Sequence, residues 1–107
     1  MRRRRFESNT MPSEESTRQS ESNRRRWAAI DLGGEAFRTG GNPAEEYPVE
    51  SMERAVDLYE QAKALWLEEG DRAYEARCCQ YAIDAVKLAI AAKRADEAIR
   101  AATGTGR

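Results

Sequence analysis

At 107 residues the chain can hold one domain at most, and it contains no histidine, so the commonest general base and the commonest metal ligand are both missing. The formal net charge of −1 hides an uneven balance: residues 1–26 carry eight Arg against four Glu, and residues 27–107 carry ten Lys/Arg against fifteen Asp/Glu. No apolar run reaches the ~18 residues that a membrane-spanning helix needs.

Residues 1–26 are mostly Arg, Ser, Glu, Asn and Thr, with Phe6 and Met11 as the only large apolar side chains. Such a segment buries too little surface to offset the cost of ordering its backbone, which predicts a disordered arm. Arg2–Arg5 begins like a signal peptide, but Glu7, Ser8, Asn9 and Thr10 stand where an apolar stretch belongs, and Met11 offers a second translation start. Arg2, Arg3, Arg4, Arg5, Arg24, Arg25 and Arg26 are candidates for pairing with phosphates, a salt-dependent contact blind to base sequence, and Trp27 beside them offers a ring to stack on a base. The plainer reading is a solubilising tail.

Trp27–Leu32 is the first apolar patch, too short for its period to be read. Gly33-Gly34 closes it, and Gly40, Gly41, Asn42 and Pro43 mark a loop. Asn42 reads as an N-cap with Pro43 at the first helical position and Glu45 reaching back, a turn that Pro48 stops. Residues 27–48 therefore read as an irregular segment with a short helical turn.

The helical hairpin domain follows, over residues 49–103. Its first helix runs from Val49 to Glu69 behind Pro48, with Glu50 and Glu53 at the positive end of its dipole. Val49, Met52, Val56, Tyr59, Ala62 and Trp66 form an apolar stripe, widened by Ala55, Leu58 and Leu65. Gly70 suits the C-cap and Asp71 the next N-cap, so the connection is short and the helices pack antiparallel or cross steeply.

On the second helix Tyr74, Cys78, Tyr81, Ala85, Leu88, Ala92, Ala95 and Ile99 recur at alternating steps of 4 and 3, an unbroken heptad seam, while Ile83, Val86 and Ile90 give a second apolar flank. Thr103-Gly104-Thr105-Gly106 ends it, leaving a tail over 104–107. At ~1.5 Å per residue the first helix spans roughly 30 Å and the second roughly 48 Å, so Ala92, Ala95, Ile99 and Ala102 reach past the hairpin. Three outcomes are open: the chain folds back near Ala92–Arg94 as a third helix, the Trp27–Leu32 patch covers the overhang, or a second copy buries it. Self-association is the favoured outcome, because a two-helix hairpin is thin for stability.

The only cysteines, Cys78 and Cys79, adjoin on a helix and point about 100° apart, so they neither bridge nor hold zinc, and they read as reduced thiols of a cytoplasmic protein. Glu45-Glu46, Glu68-Glu69 and Asp96-Glu97 read as solvated faces rather than metal or acid/base sites.

Two stretches resemble known families. Ala29–Gly34 resembles the first phosphate loop of sugar kinases of the actin-like ATPase superfamily, but Glu35 stands where that loop has Thr, and that fold is several times larger than this chain. The glycines read instead as turn geometry. Tyr59–Ala82 resembles one tetratricopeptide repeat: with Gly70 at the inter-helix turn, Tyr59 and Trp66 take its large first-helix positions, Ala62 the apolar site between them, and Cys79 and Ala82 its second-helix packing sites. Lys63 stands where that motif has a small residue and Glu75 where it has Ala. The resemblance implies a packed helical hairpin.

The expected architecture is all-α: a disordered basic arm, an irregular segment and an antiparallel helical hairpin, with a third C-terminal helix as the open alternative. The expected function is a non-enzymatic protein–protein interaction module that self-associates, with no catalytic residue, cofactor or metal. Tyr59, Trp66, Tyr74 and Tyr81 read first as core, and any left exposed become interface anchors together with Leu88 and Ile99. The alternative is a small nucleic-acid-binding accessory protein that uses the arm.

Overall fold

The computed structural model describes residues 14–104. They form three helices and, among the described residues, no strand: α1 (Glu14–Ala36), which runs on into a π-helical turn at Phe37–Gly41, α2 (Val49–Glu68) and α3 (Ala73–Gly104).

Helix α2 lies in the middle. Pro48 starts it, its fixed φ suiting the boundary and its carbonyl accepting from the Ser51 and Met52 N–H groups at 3.0 and 3.2 Å. Gly70 ends it with φ of +77°, a left-handed residue that a side chain would strain. Its buried residues run from Leu58 through Ala62 and Tyr59 to Val56. At about 100° per residue they cover an arc of roughly 160°, wider than the ~100° stripe that faces one neighbour. Two helices fill that arc. Helix α3 returns antiparallel after the turn, setting Ile83, Val86 and Ile90 against Met52, Val56 and Tyr59. Helix α1 brings Ala29 to Ala62 and Trp66, and Ala36 to Met52, Ala55 and their neighbours. Each large side chain so buried contributes about 1.5–3 kcal/mol.

Residues 14–26 are helical rather than disordered, and the irregular segment expected over 27–48 is confined to 42–48; residues 1–13 of the expected arm lie outside the described residues. The helix begins at Glu14 and passes through Gly33-Gly34 unbroken. Glycine inside a helix costs about 1 kcal/mol relative to Ala, and packing on α2 outweighs it. Gly40 and Gly41 are not in a loop but in the π-helical turn, where α1 comes closest to α2. A Cβ on Gly40 would stand 2.4 Å from the Ser51 carbonyl oxygen and 2.8 Å from the Met52 Cα. One on Gly41 would stand 2.6 Å from the Tyr59 hydroxyl. The missing side chain at Gly40 lets the two backbones meet, and that at Gly41 leaves room for the Tyr59 ring.

Asn42 caps a single turn rather than a helix. Its Oδ1 accepts from the Ala44 N–H at 3.0 Å and its carbonyl from the Glu45 N–H at 3.1 Å, a local turn that leads to Pro48. Helix α3 starts at Ala73, two residues after Asp71, with the Arg72 carbonyl accepting from Ala76 N–H at 3.1 Å. It runs unbroken to Gly104, so there is no fold-back near Ala92: the third helix of the bundle is the N-terminal one. Arg94 still reaches Glu53 near the start of α2, at 2.5 Å; beyond it, residues 95–104 project past α2 and are exposed.

Candidate interaction face

The heptad seam of α3 lies outside the core. Tyr74, Tyr81, Leu88 and Ile99 are 69%, 65%, 72% and 61% exposed. Cys78, Ala85, Ala92 and Ala95 between them are exposed as well. The face packed on α2 is instead Ala76, Cys79, Ile83, Val86 and Ile90, at steps of 3, 4, 3 and 4. At about 100° per residue the centres of the two seams stand roughly 190° apart, on opposite sides of one helix. This corrects the expectation that Tyr74 and Tyr81 belong to the core: that role falls to the flank of Ile83, Val86 and Ile90. The physical reason is volume. Three branched side chains fill the space against the arc of α2, which the small residues Cys78, Ala85 and Ala92 at alternate positions of the other seam leave empty.

The six candidate interface residues therefore divide. Tyr59 and Trp66 are buried on α2 and offer no surface; burial pushes the Tyr59 hydroxyl above its ordinary pKa. Tyr74, Tyr81, Leu88 and Ile99 share one line along α3. Tyr74 and Cys78, one turn apart, are in hydrogen-bond contact, the largest cause holding the tyrosine above its ordinary pKa. Near its middle the seam adjoins a groove of about 470 Å³ between α3 and the Asn42–Tyr47 loop, with Ala85 and Ala89 on one wall and Phe37, Tyr47 and Met52 on the other. The charged group on its lining is Glu45 alone, so no acid/base pair converges there.

The basic residues divide too. Arg2–Arg5 lie outside the described residues. Arg24 and Trp27 are exposed on α1. Arg25 and Arg26 turn inward to Glu69, at the corner between α2 and α3. Arg25 Nε donates to one carboxylate oxygen at 2.6 Å, Arg26 Nε to the other at 3.3 Å, and the Ser22 hydroxyl donates to the latter. The Glu69 side chain is 3% exposed. The hydrogen bond from Ser22, then that from Arg25, holds its carboxyl below the ordinary range, and the same pairing raises Arg25. This cluster ties α1 to the end of α2. A contact across more than forty residues leaves no local signature, although the small residues Ala29, Ala36 and Gly40, at helical spacing, do mark the packed face of α1.

Among the described residues no three His, Cys, Asp or Glu side chains gather to hold a metal, and no helix is long and apolar enough to cross a membrane. Cys78 and Cys79 are free thiols, one exposed and one buried. In comparisons with family models, curated proteins and solved structures, the chain matches none of them.

Proposed function

We propose that this protein is a non-enzymatic helical interaction module that self-associates through the exposed seam of α3, with the α2–α3 hairpin, tetratricopeptide-like in its packing, as scaffold. The observation that carries the reading is one helix with two complete apolar seams, of which its own chain covers one. Four large side chains each more than half exposed along one line exceed the singly scattered apolar residues of an ordinary surface. They also have the heptad spacing with which one helix receives another. Nucleic-acid contact through the arm is the weaker reading, because two of the three guanidiniums at 24–26 are engaged by Glu69.

The test is light scattering on the full chain. The wild-type protein is expected to exceed monomer mass as concentration rises, and Leu88→Glu or Ile99→Glu to return it to monomer with unchanged helix content. Wild-type protein that stays monomeric at high concentration overturns the reading. So does a dimer that both substitutions leave intact.

A further inference from the structure

We propose that a second copy of this chain lies antiparallel along the seam, with the two-fold axis passing between Val86 and Lys87. This rests on reading the seam as the association face, and adds orientation and register.

Orientation follows from the order of side-chain sizes. From Tyr74 to Ala92 the seam alternates large and small: Tyr74, Cys78, Tyr81, Ala85, Leu88, Ala92. Two parallel helices in register set each residue against its own copy. Ala85 would then face Ala85 and leave a void, and Tyr81 would face Tyr81 and force the helices apart. Antiparallel helices set large against small in the four central layers, so that Leu88 faces Ala85 and Tyr81 faces Ala92. Close-packed interfaces need layers of even volume, and only the second arrangement supplies them in the central layers.

Register follows from the overhang. Full overlap pairs Tyr74 with Ile99 and Cys78 with Ala95 of the other copy. It lays residues 95–104, which project past α2, along the first turns of the partner's α3. A slip of one heptad in one direction leaves Ile99 in water on both copies, and a slip in the other leaves Tyr74 in water.

The area is sufficient. An aromatic side chain carries about 150–250 Å², so at the stated exposures the four large residues and their small neighbours offer roughly 650 Å² per copy. Two copies would cover roughly 1,300 Å², within the ~1,200–2,000 Å² of stable specific interfaces.

Cysteine cross-linking in the full-length protein tests this, because Cys78 is on the seam and Cys79 is buried in the core. In the proposed register the two Cys78 residues lie 17 positions apart along the axis, roughly 26 Å at ~1.5 Å per residue, far beyond the ~7 Å limit of a disulfide. Wild-type protein under mild oxidation should form no Cys78–Cys78 dimer, whereas Ala95→Cys should form a covalent dimer that peptide mapping shows linked 78 to 95. A Cys78–Cys78 link in the wild type overturns the orientation. A Leu88→Cys variant that links 88 to 78, with no 78–95 link in Ala95→Cys, overturns the register. Monomer mass by light scattering with no cross-link in any variant overturns the association reading beneath it.

Discussion

Two single substitutions separate the faces of α3. Ile83 is 1% exposed and sits among Val56, Val86 and Ile90. Truncating such a residue to Ala costs about 2–5 kcal/mol in lost transfer energy and cavity, and α2 is the neighbour that would have to collapse to recover any of it. Leu88 is 72% exposed. In the isolated chain its replacement by Ala should fall within about ±0.5 kcal/mol, because Ala is also the better helix former. In the associated protein each Leu88 is covered, and two are lost per dimer. At about 1.5–3 kcal/mol per covered side chain the pair comes to roughly 3 kcal/mol or more, about a hundredfold in dissociation constant. Urea unfolding of wild type, Ile83→Ala and Leu88→Ala over a dilution series reads both effects. The Ile83→Ala deficit should be the same at every concentration. The Leu88→Ala deficit should appear only where wild-type protein is associated, and vanish on dilution. A Leu88→Ala loss as large as that of Ile83→Ala in the most dilute samples would show that the seam faces the core.

Three further expectations follow from the packing of α1 and the thiols. Gly33→Ala meets nothing within 4 Å and should stabilise the protein by about 1 kcal/mol; Gly40→Ala drives a methyl into the α2 backbone and should cost about 1–3 kcal/mol, so denaturant midpoints should move in opposite directions. For Glu69, the folded carboxyl titrates below its ordinary value near 4.5, so the folded state holds fewer protons than the unfolded one in that range. Its contribution is complete above the unfolded value and fades as pH falls through the folded one. Unfolding curves should therefore show Glu69→Gln less stable than wild type at neutral pH, with the gap closing in acid; a gap that persists there would refute the pairing. Finally, in dilute, unassociated protein one thiol per chain should react readily with a maleimide and the other only on unfolding, since burial pushes the Cys79 thiol pKa up while Cys78 is exposed. Mass spectrometry of partly labelled protein should find the label on Cys78.

Much of the hairpin is legible in the sequence, because its punctuation is local. Pro48 and Gly70 bracket α2 through backbone properties that any neighbour sees. Periodicity finds both seams of α3 but does not rank them, since each repeats at 3.5 residues and each is apolar. What ranks them is the volume available against α2, a property of the packed pair. The same limit explains α1. Gly33-Gly34 and Gly40-Gly41 carry strong local tendencies to break a helix, and tertiary contact overrides them: Ala29 and Ala36 lie flat on α2, and Gly40 permits the approach at Ser51. The pairing of Arg25 and Arg26 with Glu69 joins distant residues, so these arginines read in sequence as free for a polyanion.

The most direct measurement is the alkylation rate of Cys78 in the wild-type protein as a function of protein concentration. The thiol lies on the seam, open in a single chain and covered when a second helix occupies it. The rate should fall as concentration rises, in step with the growth in mass. A rate that stays constant while the mass doubles would place the association on some other face.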